Sequence, residues 1–127
     1  MHENLTDTNL DDWNLHRAAQ ENREDIVSAL IAIGADIETE DDEGWTPLHW
    51  AARMESFEVA QLLIQSGADI EAEDNEGWTP LSHSGENYCG TSLPVVAQLL
   101  VQYGANTKGV IDLKVVIDQW LDDQKDG

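Results

Sequence analysis

Basic residues are scarce in this chain. Six Lys and Arg stand against 26 Asp and Glu, so the formal net charge is 6 − 26 = −20 and the pI lies near 4.1. Such a chain is repelled by nucleic acid and by anionic membrane and is attracted to basic surfaces, so no direct nucleic-acid or membrane binding is expected. The acids could also serve only to keep a small protein soluble, and composition leaves both readings open. Cysteine is scarcer still, with Cys89 alone. One thiol makes no internal disulfide and no CxxC redox or zinc pattern. No stretch approaches the roughly 18 apolar residues of a membrane-spanning helix. The opening residues Met1-His2-Glu3-Asn4-Leu5 lack the basic and apolar regions of a secretory signal. These absences point to the reducing cytoplasm, with the nucleus left open.

What is present is a period. Gly44-Trp45-Thr46-Pro47-Leu48 returns as Gly77-Trp78-Thr79-Pro80-Leu81, 33 residues later. Gly34-Ala35-Asp36-Ile37-Glu38 returns as Gly67-Ala68-Asp69-Ile70-Glu71 at the same offset of 33. Two segments with one offset imply stacked supersecondary units. With 127 residues, 41% of them apolar, the chain can bury a core and is read as one domain over residues 1–127.

Helical spacing fills each period. A first helix is expected near Asp12, with Asp12 as its cap and Trp13, Leu15, Ala18 and Ala19 on its apolar side. A second is expected from Glu24 to Ile33, with Ile26, Val27, Leu30 and Ile31 as its core stripe and Gly34 as its C-terminal cap. In the middle unit Thr46 caps a helix, Pro47 takes the first position where a missing N–H is harmless, and His49 bonds back to the Thr46 hydroxyl. Ala51 and Ala52 allow close helix approach. A helix over Phe57–Ser66 follows, carrying Val59, Ala60, Leu62, Leu63 and Ile64, with Gly67 as its cap.

The third unit begins as the second does and then departs. Ser82-His83-Ser84-Gly85 replaces His49-Trp50-Ala51-Ala52, and Gly104 follows Gly67 by 37 residues, so four are inserted near residues 86–93. A short first helix, a long loop, and a second helix capped by Ser92 with Pro94 in its first turn are expected. A C-terminal helix over about residues 110–122, with Leu113, Val116, Ile117, Trp120 and Leu121 on one face, would close the end of the stack.

Thr46-Pro47-Leu48-His49, Ala51-Ala52, Leu62-Leu63-Ile64 and Gly67-Ala68-Asp69 together resemble the ankyrin repeat. The resemblance implies an all-α fold, an ankyrin-repeat solenoid of stacked helix-turn-helix units with projecting hairpin loops. The repeats fall over about residues 8–40, 41–73 and 74–109. It also implies a non-catalytic protein-binding module that needs no cofactor. Partners of such proteins are usually bound by the hairpin tips and by the exposed side of the first helices. Carried onto this chain, that surface is Asp42, Glu43, Trp45, Arg53 and Met54 in the middle unit. In the third it is Asn75, Glu76, Trp78, Glu86 and Asn87, and in the first Arg17, Gln20 and Glu21.

Other chemistry finds little support in the spacing. His16 and His49 share one repeat position and are read as a structural ladder, with His83 one place out of register. No nucleophile elbow and no phosphate-cradling glycine loop occurs. Asp36–Gly44 holds six acids in nine residues and Asp69–Glu76 five in eight. Neither is a calcium loop, because setting Gly44 or Gly77 as the sixth residue puts Thr39 or Ala72 first. No metal is expected, and an enzyme is not. The expected partner is a protein with a basic surface, bound by a monomer. Trp45 and Trp78 would act as anchors, since tryptophan is enriched at binding hot spots. Each indole could instead only stiffen the array by packing on the next hairpin. An acidic mimic that occupies the phosphate groove of a nucleic-acid-binding protein is the alternative.

Overall fold

The computed structural model of the chain describes residues 13–84, 94–106 and 118–123. They form helices joined by turns, and no strand occurs among them. The helices are α1 (Leu15–Gln20), α2 (Glu24–Ala32), α3 (Pro47–Arg53), α4 (Phe57–Gln65), α5 (Pro80–Ser84) and α6 (Val95–Gln102). A last helical segment, α7, covers 118–123. Helices α1, α3 and α5 pack side by side in one layer, and α2, α4 and α6 in a second layer behind it.

The caps explain where the helices begin and end. Asn14, not Asp12, caps α1, and its side chain accepts the Arg17 N–H at 2.7 Å. The helix thus starts later than the sequence suggests, because Trp13 occupies the place of Thr46 and offers no acceptor. Thr46 and His49 form the reciprocal cap of α3, with Pro47 in its first turn. The cap of α6 is Pro94 and not Ser92, which lies outside the described residues together with the insertion and the expected helix over residues 110–117. All three second helices end in one two-bond motif: Ala35 N–H to Leu30 O, Ala68 N–H to Leu63 O and Ala105 N–H to Leu100 O, each with its glycine N–H bonded three residues back.

The core lies between the two layers. Ala18, Ala19, Ala51 and Ala52 are fully buried, and these small side chains let α1 and α3 approach closely. Ile26, Val27, Val59, Leu63, Val96 and Leu100 fill the interface from the second layer. Trp13 and Trp120 are half-buried against this core from the first and last described segments.

Polar bonds then tie each unit to the next. Asn22 and Glu55, one period apart, both adopt left-handed backbone, with φ of 53° and 57°. Asn22 Oδ1 accepts the Val59 N–H at 3.3 Å, and Glu55 Oε1 accepts the Val96 N–H at 3.1 Å. Glu38 accepts the Asp69 N–H at 2.7 Å, and Glu71 the Asn106 N–H at 2.8 Å. Each pair caps an orphan amide of the following unit, the nearest-neighbour coupling that holds a solenoid together.

Candidate functional site

The hairpins before α3 and α5 are built on one aspartate each. Asp41 Oδ1 accepts the N–H groups of Glu43 and Trp45 at 2.9 and 3.0 Å, and Asp41 N–H donates to Trp45 O. One period later Asp74 Oδ1 accepts from Glu76 and Trp78, both at 2.9 Å, and Asp74 N–H donates to Trp78 O. The second carboxylate oxygen differs in partner. Asp41 Oδ2 accepts from the Trp50 indole N–H at 3.0 Å, whereas Asp74 Oδ2 is 2.8 Å from His83 Nε2. Since 50 + 33 = 83, His83 occupies the place of Trp50 in the repeat. The two side chains perform one task, holding the hairpin carboxylate from the following helix.

These bonds fix charge. Burial pushes both carboxyls up, but the hydrogen bonds outweigh it, and Asp41 and Asp74 titrate below the ordinary 3.8. For Asp74 the largest opposing contributions come from the Trp78 N–H and from His83. Burial lowers the pKa of His49 below the ordinary 6.5, more than its bond to Trp78 O raises it, so the ring is neutral at pH 7.

The histidine ladder follows from the same geometry. His16 Nε2 lies 2.8 Å from Trp45 O, and His49 Nε2 lies 2.8 Å from Trp78 O. The Thr46 N–H donates to His49 Nδ1 at 3.0 Å, so the proton of the neutral ring is on Nε2 and points at Trp78 O. Ser82 replaces the histidine in the third unit. It keeps the short cap, its N–H donating to the Thr79 hydroxyl at 3.3 Å, but has no ring to reach further.

Above this network the aromatic rings cluster. The Trp45 ring centroid is 4.4 Å from that of Trp50 and 4.0 Å from that of His83 in the next unit. The Trp78 centroid is 5.2 Å from His83, and His49 meets His83 edge-on at 5.4 Å. Trp45 is half-buried by these contacts, while Trp78 remains 42% exposed. One donor atom each from His49, Asp74 and His83, all buried, lies within 4.8 Å of the others.

The sequence-derived surface is distributed as follows. Asp42, Glu43, Asn75, Glu76 and Trp78 are exposed on the two hairpins. Asn75 joins those hairpins, its N–H bonding to Glu43 O at 3.0 Å and its side chain to Asp42 O at 3.2 Å. Arg53, half-buried, and Met54, exposed, lie at the far end of α3. Glu86 and Asn87 lie outside the described residues. The acids do not act alike. Asp36, Glu38, Asp41, Asp69, Glu71 and Asp74 each accept a backbone N–H of the hairpins or the unit beyond. In each of them one carboxylate oxygen is therefore turned to the backbone.

The sequence reading passes over Asp74 and takes His83 only as a loose candidate outside the histidine ladder, without pairing the two. The available signal was the offset itself, 41 to 74 and 50 to 83, which pairs both with a hairpin partner. Among known families, residues 15–110 match the model for ankyrin repeats, with three copies. No curated protein matches the chain.

Proposed function

From the premise that this chain belongs to the ankyrin-repeat family, we propose that it binds a basic segment of another protein across the two acidic hairpins. Ankyrin repeats are in general protein-interaction modules, and the family is typically non-catalytic. The observation that carries the basic-partner reading is Trp78. It leaves 42% of its surface in water on a hairpin flanked by the exposed Glu76 and next to the exposed Asp42 and Glu43. An exposed indole on an acidic hairpin suits a cationic side chain with an apolar stem, and above all a guanidinium laid over the ring.

The molecule contains a small version of that contact. The Arg17 guanidinium lies 4.0 Å over the Trp13 ring, and Glu21 holds it at 3.2 Å. In this reading Trp78 is the anchor. Trp45, wedged against Trp50 and His83, sets the platform beside it, and Asp42, Glu43 and Glu76 steer approach. Arg53 and Met54 would contact the partner farther along α3. No helix among the described residues is long and apolar enough to cross a membrane.

The test is titration with a short arginine-rich peptide at rising NaCl. Affinity should fall with salt, since exposed charges are screened beyond about 8 Å at physiological ionic strength. Trp78→Ala should weaken binding by about 2 kcal/mol, or roughly thirtyfold. Binding that ignores both salt and Trp78 would overturn the reading.

A further inference from the structure

We propose that His49, Asp74 and His83 form a zinc site inside the stack, where the middle unit meets the third. The three residues come from α3, the hairpin before α5, and α5 itself. Their donor atoms already lie within 4.8 Å of one another, and all three side chains are buried. Two imidazoles and a carboxylate form a donor set suited to Zn²⁺, which imposes no geometry of its own and accepts mixed nitrogen and oxygen ligands. A tetrahedral ion with bonds of about 2.05 Å needs its ligands about 3.3 Å apart. The pair His83 Nε2 and Asp74 Oδ2, at 2.8 Å, opens slightly, and the others close by side-chain rotation.

The supports for such a site are present. Asp74 is oriented by two backbone amides on its other oxygen. His49 Nδ1 lies 2.8 Å from the Thr46 hydroxyl, which accepts its proton once Nε2 turns to a metal. Proton balance is simple. The His49 ring moves its one proton from Nε2 to Nδ1, any proton that His83 carries on the ligating nitrogen passes to its other ring nitrogen or to solvent, and water fills the fourth position. The ion displaces the bonds of His49 to Trp78 O, of Thr46 N–H to His49 and of His83 to Asp74. Affinity is therefore below that of a closed site made only of metal ligands. The Trp45 ring, 4.0 Å from His83, covers the site. The feature belongs to this chain rather than to the repeat, because the middle unit has Trp50 where the third has His83.

That equivalence supplies the control. His83→Trp rebuilds in the third unit the bond that Trp50 makes to Asp41, and so removes a ligand while keeping the hairpin held. Calorimetry of the wild-type chain with Zn²⁺ should give one saturable event at one ion per chain. Ca²⁺ and Mg²⁺ at physiological salt should give none. His83→Trp should lose the zinc event while keeping its helical circular dichroism. Where that variant folds poorly, His83→Gln, which can still donate to Asp74, replaces it. Zinc should also shift the tryptophan emission of the wild type and not that of His83→Gln. A wild-type chain without a saturable zinc event overturns the proposal. So does a His83 variant that binds zinc as the wild type does, which places the ion on other residues.

Discussion

At the scale of single residues, repeat-equivalent positions with different side chains carry most of the information. Asn22 and Glu55 share left-handed backbone and the task of capping the next unit. Asparagine tolerates that backbone and is neutral. Glu55 does not suit it as well, one of its oxygens is buried without a partner among the described residues, and burial raises its pKa above the ordinary 4.5. A carboxyl with a raised folded pKa favours folding below that pKa and opposes it above. Glu55→Asn is therefore expected to stabilise the fold by about 1 kcal/mol at pH 7. The gain should shrink as pH falls through the folded pKa of Glu55, where the wild type is itself neutral. Urea midpoints at neutral and acidic pH read both parts, and an unchanged or lowered midpoint at pH 7 would be the contrary result. Legibility at this scale follows locality. The Thr46–His49 cap spans three residues and was plain in the sequence. The role of Asp74 was not, because its partner His83 is nine residues away, in the helix that follows the hairpin.

At the scale of elements, the period of 33 gave helices α1 to α4 to within about two residues. The loss of Ala51-Ala52 equivalents predicts a short α5, whose course after Ser84 lies outside the described residues. The way in which hairpins couple was not legible, since it depends on backbone amides that any residue carries. Gly44 shows that coupling. Its φ is +80°, and a Cβ there would meet Asn75 Oδ1 at 2.5 Å and Asn75 N at 2.8 Å. Gly77 has φ of +83° but open space around it. Alanine at either position bears the strain of left-handed backbone, about 1 kcal/mol. Only Gly44→Ala also pushes on the next hairpin, for a further 1–3 kcal/mol as in other overpacked sites, roughly. Thermal or urea unfolding of the two variants should thus separate, with Gly44→Ala the less stable. Equal losses would mean that the Asn75 bonds to Glu43 O and Asp42 O contribute nothing to the stack.

At the scale of the whole molecule, the net charge of −20 acts in two opposed directions. It draws a basic partner, and it also repels itself within the compact state. Salt separates the two. Screening should weaken the peptide binding described above and at the same time raise stability at pH 7, by about 1 kcal/mol or roughly 4 °C for a domain of this size. Acid separates charge from structure in a similar way. As pH falls from 7 the ordinary carboxylates begin to take up protons and repulsion eases, so stability should rise at first. Asp41 and Asp74 have depressed folded pKa values, so what they contribute is complete above the ordinary 3.8 and is lost as pH falls through their lower folded values. Stability should therefore peak on the acidic side of neutrality and then collapse when the hairpin aspartates take up protons and release Trp50 and His83. Asp74→Asn tests the assignment. It should flatten the acid limb of the profile while leaving the salt response at pH 7 nearly intact, because it removes one charge of many but one of the two such anchors among the described residues. An unchanged acid limb would move the collapse to other carboxylates, and with it the claim that Asp41 and Asp74 organise the two hairpins.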